Sequence, residues 1–145
     1  MSHQYCTFVL DGHLFGVPVA SVQEVLKQQE VTPVPLASRE VSGLINLRGQ
    51  IVTTIDLRAR LGLSAREAGS SSVSVVVRAA DGGPVSLVVD QIGDVLEAEE
   101  SLLEPPPDTV PHEVRELVMG ICKLDDRLML LLDTERAVTV TELVA

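Results

Sequence analysis

The sequence predicts an all-β protein made of two similar β-subdomains with short helical turns between strands. Three observations carry that expectation. Short β-branched segments recur between Gly, Asp, Asn and Pro, as in barrels and sandwiches. Two blocks of the chain repeat in the same order. The composition is 46% hydrophobic over 145 residues with a mean hydropathy of +0.28, yet only Tyr5, Phe8 and Phe15 are aromatic, so the core has to be aliphatic.

Candidate strands run from Gln4 to Leu10, Leu14 to Val17, Leu44 to Leu47, Ile51 to Asp56, Val73 to Ala79, Val85 to Asp90, Met119 to Leu124 and Leu128 to Leu132. Turn chemistry separates several of them: Asp11-Gly12, Arg48-Gly49, Asp81-Gly82-Gly83 and Asp125-Asp126. Helical spacing of apolar residues predicts short helical turns at Ser21 to Lys27, Leu57 to Leu61 and His112 to Leu117. The small, polar stretch from Gly62 to Ser72 reads as a linker or exposed loop, dividing the chain into a single domain with subdomains of approximately 8–63 and 73–140.

The halves are alike. Gly43 to Asp56 lies over Gly120 to Asp133 at a spacing of 77, with Leu47 on Leu124, Ile51 on Leu128 and Ile55 on Leu132. Phe15 to Leu26 lies over Val85 to Leu96 at a spacing of 70, with Val22 on Ile92 and Glu24 on Asp94. The spacings differ because the second half has a longer connection, from Glu97 to Met119, containing Pro105-Pro106-Pro107. Each half, at roughly 60 to 70 residues, has only a marginal core of its own, so the two should bury apolar faces against each other. The seam between them is a place where an apolar helix could dock.

Composition also removes whole classes of function. A net charge of −10 disfavours nucleic acid and anionic lipid, and three aromatics are too few for a base-stacking platform. Apolar runs such as Leu128 to Leu132 are far shorter than the roughly 18 residues of a membrane helix. The start, Met1-Ser2-His3-Gln4, carries no secretory signal, which makes the cytoplasm the expected address and buried free thiols the expected state of Cys6 and Cys122.

Catalytic signatures are missing. His3, His13 and His112 lie far apart without metal-ligand spacing, and neither a nucleophile elbow nor a phosphate loop occurs. Asp125-Asp126 and the acids of Glu97 to Glu104 lack the spacing of a calcium loop. No catalytic residue, metal or cofactor is assigned, and a small β-barrel enzyme or a nucleic-acid-binding barrel is the weaker reading.

Several motifs do carry a resemblance. Phe15-Gly16-Val17, Val22-Gln23-Glu24-Val25-Leu26, Thr32-Pro33-Val34-Pro35, Gly43-Leu44-Ile45-Asn46-Leu47-Arg48-Gly49 and Asp56-Leu57-Arg58-Ala59-Arg60-Leu61-Gly62 follow in order. Val88-Val89-Asp90, Asp94-Val95-Leu96 and Asp126-Arg127-Leu128 continue the series. Together they resemble the CheW family from about Tyr5 to Val138, with Thr53 standing where that family commonly has Pro.

The resemblance implies two small five-stranded SH3-like barrels about a pseudo-twofold axis. It implies an adaptor that couples chemoreceptors to a CheA-type histidine kinase, touching the kinase's regulatory domain and the receptor's cytoplasmic tip. Free-standing coupling is expected, in preference to the kinase-terminal or receiver-fused forms, and location is expected at membrane-bound receptor arrays. A scaffold of a non-flagellar chemosensory pathway, such as pilus-based motility, is the alternative.

By the same resemblance the kinase- and receptor-binding residues are Val22, Glu24, Gly43, Arg48, Asp56, Arg58, Val73 and Val95. Ordinary structural uses compete at each position. The valines suit a core, Gly43 suits a positive φ or a close approach, and Asp56 and Arg58 suit a cap and a local ion pair. Glu24 and Arg48 are natural partners, with Arg48 at a hairpin apex beside Gly49.

Overall fold

The structure, a computed structural model, describes residues 2–27, 29–67, 70–79 and 82–139. Eleven strands form among these residues: β1 Ser2–Leu10, β2 His13–Pro18, β3 Val22–Lys27, β4 Val41–Leu47, β5 Gln50–Asp56, β6 Val73–Arg78, β7 Pro84–Val89, β8 Gln91–Glu99, β9 Leu103–Glu104, β10 Val118–Lys123 and β11 Leu128–Leu132. Helix is confined to the short turns α1 Leu57–Arg60, α2 His112–Arg115 and α3 Thr134–Val138, with 3-10 turns at Val19–Ser21 and Glu100–Leu102.

The strands make a five-stranded sheet in the order β3-β6-β7-β5-β4 and a six-stranded sheet in the order β8-β1-β2-β11-β10-β9. Exchanging β3 for β8, β6 for β1, β7 for β2, β5 for β11 and β4 for β10 turns the first order into the second. The internal repeat is therefore a repeat of a whole sheet, as a pseudo-twofold arrangement requires. The six-stranded sheet adds only the two-residue β9, whose counterpart is the single bridge between Thr32 and Leu44.

Neither sheet coincides with a sequence half. The five-stranded sheet takes β6 and β7 from beyond the linker, and the six-stranded sheet takes β1 and β2 from before it. The segments 8–63 and 73–140 are thus not the two sheets, and residue 140 and Asp81 lie outside the described residues. The cause is the parallel pairing of β2 with β11 and of β5 with β7. A hairpin cannot join parallel neighbours, and each of these pairs takes one strand from either side of the linker.

Three apolar clusters follow from this exchange. One draws only on the five-stranded sheet and its flanks, with Ile45, Leu47, Val52 and Val76 packed by Leu26 and Val31. Leu26 is on β3 and Leu47 on β4, the first and last strands of that sheet, so the sheet curls until its edges share a core. A second cluster, with Tyr5, Leu14, Cys122, Met129 and Leu131, does the same in the six-stranded sheet. The third and largest lies between the sheets and includes Phe8, Phe15, Val17, Ile55, Val75, Leu87 and Leu132. Phe8 and Phe15 stack there at 5.9 Å.

Turns behave as their residues require. Asp11-Gly12 and Arg48-Gly49 both have two successive positive φ values, 50° and 81° and then 51° and 87°, the geometry of two-residue hairpins. Both cysteines are buried free thiols, and burial pushes the Cys6 thiol up.

One helical expectation is corrected. Ser21 to Lys27 is preceded by a 3-10 turn and is itself strand β3, with burial alternating from Val22 through Lys27. The apolar spacing of Val22, Val25 and Leu26 looks helical because Val25 faces outward and is exposed. Its repeat partner β8 was hidden for the same reason, with Ile92 and Val95 exposed along it.

Candidate functional site

The best-defined polar arrangement joins the two edges of the five-stranded sheet. Glu24 sits on edge strand β3, and Arg48 stands at the tip of the β4–β5 hairpin, where the side-chain oxygen of Asn46 accepts the Gly49 N–H at 2.8 Å. Arg48 donates from both terminal nitrogens to the two oxygens of Glu24, one bond being 2.7 Å. The bidentate fork fixes orientation as well as distance. Arg48 lowers the Glu24 carboxyl from its ordinary value by that hydrogen bond, and Glu24 raises the guanidinium in return. The carboxylate is 19% exposed while the guanidinium is 71% exposed, so the pair presents a cation outward from a fixed anchor.

Gly43 supports the same hairpin from below. It is buried in β4 with φ at 148°, and a Cβ there would lie 2.2 Å from the Thr32 carbonyl oxygen. Thr32 and Leu44 exchange backbone hydrogen bonds at 2.8 Å each beside it. Both a close approach and a glycine-only backbone region are met at this residue.

Asp56 and Arg58 belong to a second arrangement. Asp56 caps α1 by accepting from the N–H groups of Arg58 at 3.1 Å and Ala59 at 3.4 Å. Arg58 donates to both oxygens of Asp90, at 2.9 and 2.6 Å, and to the Ser64 carbonyl at 2.9 Å. Arg66 donates to the same carboxylate at 3.0 Å, and so does the Asp11 N–H at 2.8 Å. Burial by itself would raise the Asp90 carboxyl. The bonds from Arg58, Asp11 and Arg66 outweigh it and hold the group at about 2. The Asp90 bond in turn raises the Arg58 guanidinium.

Asp90 and Arg66 are the residues that motif reading left without a role. The available signal was an acid closing the Val88-Val89-Asp90 run, since a carboxylate at the end of a buried strand needs donors.

The three valines divide. Val22 and Val73 lie on neighbouring strands, β3 and β6, and pack partly against the inter-sheet cluster. Val95 lies on β8, an edge of the other sheet, and is 57% exposed. The cavity beside β2, β10 and β11 is lined by none of them. Two of the three are therefore partly buried against the core, and Val95 is the most exposed of them.

No group of three or more His, Cys, Asp or Glu residues converges as a metal site among the described residues, and the Glu24–Arg48 and Asp90 clusters consist of mutually satisfied charges. The Glu24–Arg48 pair instead ties a sheet edge to a hairpin tip at the surface.

Comparison with known proteins accords with that character. A family profile described as the CheW-like domain matches residues 4–142. The chain belongs to the CheW-like domain family. It is 31% identical to the chemotaxis protein CheW of Bacillus subtilis (strain 168) over 126 residues, covering 87% of this chain and 80% of that one. It is 27% identical to the chemotaxis protein CheW of Treponema pallidum (strain Nichols) over 143 residues, covering 97% and 84%. The crystal structure of the scaffolding protein TtCheW from Thermoanaerobacter tengcongensis matches with a TM-score of 0.86 at 30% identity, covering 98% of this chain and 96% of that one. The protein is thus a member of a chemotaxis scaffold family and is not an enzyme. Among the described residues, no helix is long and apolar enough to cross a membrane.

Proposed function

We propose that this CheW-like protein couples chemoreceptors to a CheA-type histidine kinase, binding the kinase's regulatory domain and the receptor's cytoplasmic tip at cytoplasmic receptor arrays. The observation that carries the proposal is the Glu24–Arg48 pair. It ties the outer strand of the curled five-stranded sheet to the tip of its last hairpin, so one face of the molecule is held rigid with no catalytic task. A preorganised edge lowers the ordering cost of a modest protein contact. The two pseudo-equivalent sheets suit the role further, because similar but non-identical faces allow head-to-tail chaining of partners in place of closure into a twofold dimer. Val95, exposed on the other edge, is the valine we assign to receptor contact. Gly43, Asp56 and Arg58 act in this scheme by holding hairpin and loop geometry beneath the contact.

Calorimetry with the purified regulatory domain of the cognate kinase tests the proposal. Wild type is expected to bind in the micromolar range, while Arg48→Ala and Glu24→Ala each weaken binding several-fold and the double variant loses less than the sum. Strictly additive losses would make them two separate contacts, and the absence of any heat of binding at high micromolar concentration would remove the coupling assignment itself. Val95→Asp is expected to weaken receptor-tip binding with an unchanged circular dichroism spectrum. Val22→Asp also strikes the inter-sheet core and is the poorer probe.

A further inference from the structure

A cavity of about 490 Å3 opens beside β2, β10 and β11, under the segment Pro107–Val114. It lies away from the Glu24–Arg48 edge, and neither that pair nor the Asp90 cluster lines it. Its volume is in the range of pockets that enclose small molecules. Phe15, Leu63, Val110, Val114, Ile121 and Leu130 make the wall, with Phe15, Val114 and Ile121 buried. The polar side chains stand at the mouth: exposed His13 after the β1–β2 turn, exposed Arg127 from the β10–β11 tip, and Thr109 on the roof.

Arg127 makes no side-chain hydrogen bond or ion pair among the described residues; its carbonyl alone is engaged, accepting the Leu124 N–H at 2.8 Å. Asp125 and Asp126 precede it but do not line the cavity. A free guanidinium at an apolar opening is notable in a chain of net charge −10. The repeat sharpens the point. The corresponding face of the other sheet, where Leu44 and Ile51 replace Ile121 and Leu128, has a cavity lined by Gln29, Glu30, Thr32 and Asn46, and the position aligned with Arg127 is the uncharged Gln50. The apolar roof exists in the second half because that half has the longer, proline-bearing connection.

We propose that this cavity binds an apolar monocarboxylate, with its hydrocarbon against Phe15, Val110, Val114 and Ile121 and its carboxylate at Arg127 and His13. Burial of the chain supplies the affinity, and the guanidinium selects the sign of the head group.

The test is a titration of the intact protein with sodium decanoate below its micellar concentration, followed by methyl NMR. Saturation at one equivalent is expected, with shifts at Val110, Val114, Ile121 and Leu130 and none at Ile51 or Val25. Decylammonium should bind at least tenfold more weakly, Arg127→Glu should lose at least tenfold in decanoate affinity, and Arg127→Lys should restore most of it. Arg127 is exposed, so these variants leave the core intact. Equal binding of both head groups, an unchanged affinity in Arg127→Glu, or shifts outside the cavity would overturn the proposal. So would a concentration-dependent dimer whose contact shifts the same methyls and excludes decanoate, since the occupant would then be a second copy of this chain.

Discussion

The two sheets share a strand order but not the means by which each is closed and filled. In the five-stranded sheet the outer strand β3 is pinned to the last hairpin by Glu24 and Arg48. In the six-stranded sheet the aligned positions are Asp94 and Asp125, two acids that cannot pair with each other. There the extra strand β9 and an aliphatic interior take over, with Leu96, Leu103 and Leu124 packed on Met129 and Leu131. Duplication thus preserved the backbone arrangement, which parallel and antiparallel ladders specify. It left the side chains free to diverge, one edge toward a charged clamp and the other toward a roofed apolar pocket.

The glycines that open the two repeated hairpins offer the harshest way to break this comparison. Both sit at a bulge, beside Val41 in one sheet and Val118 in the other. A Cβ at Gly43 would be 2.2 Å from the Thr32 carbonyl oxygen at a φ of 148°, whereas a Cβ at Gly120 would be 3.1 Å from the Glu104 carbonyl oxygen without a positive φ. Gly43→Ala is therefore expected to cost about 3 kcal/mol and Gly120→Ala to stay within about 1 kcal/mol of wild type, as read from urea unfolding midpoints. Equal losses would mean that the two bulges are under the same constraint and that the first sheet is not the tighter one.

The helical turns that follow the hairpins differ as well. Asp56 and Asp133 both cap their turns. Arg58, however, is aligned with Glu135, and the Asp90 position after β7 is aligned with Ala20 after β2. Among the described residues, α1 alone is thereby tied to the end of a neighbouring strand by a shared carboxylate. Because Asp90 is depressed from 3.8 to about 2, its contribution is fully present above the unfolded value and is lost as pH falls through about 2. That shift corresponds to about 2 kcal/mol. Asp90→Asn should lose stability of that order at pH 6 and match wild type near pH 2, measured by unfolding across that window. A difference that persists undiminished at pH 2 would assign the loss to packing instead of charge.

Legibility in the sequence followed the physics of each feature. Strands buried on both faces, where aliphatic and β-branched residues run almost continuously, are the most legible: β11 matches its expected bounds to the residue, and β1, β5, β6 and β7 match theirs to within two. Strands β3 and β8 are less legible, because an edge strand carries apolar residues such as Val25 and Val95 on its exposed side, so apolar and polar residues do not alternate along the sequence. The repeat was visible because it rests on backbone-determining residues, Gly43 with Gly120 and Asp56 with Asp133. The crossing of strands between halves was not, since parallel neighbours β2 and β11 carry no local signal of each other. Among the candidate site residues, Glu24 and Arg48 could be paired by charge and position. Asp90 could not be placed, because its donors arrive from a hairpin turn, a helical turn and the linker at once.

The interiors of the two curled sheets allow the finest distinction. At the crossing of the parallel strands the five-stranded sheet sets Thr54 opposite Ser86, and the six-stranded sheet sets Leu131 opposite Gly16. The second pair is filled by sulfur: a Cβ at Gly16 would meet the Met129 sulfur at 2.7 Å, so the absence of a side chain at Gly16 is what admits Met129. The first pair is polar, and both hydroxyl oxygens are buried without a hydrogen-bond partner among the described residues. An unsatisfied buried hydroxyl costs more than the methyl that could replace it, because its bond to water is lost and no protein bond is gained. Thr54→Val keeps the shape and removes that cost, so it is expected to raise stability by about 1 kcal/mol, seen as a higher urea midpoint at unchanged slope. The gain belongs to this sheet alone, as Leu131 already has the apolar solution. A lower midpoint would mean that the Thr54 hydroxyl is satisfied in solution by a bound water, and that the two interiors differ in hydration as well as in packing.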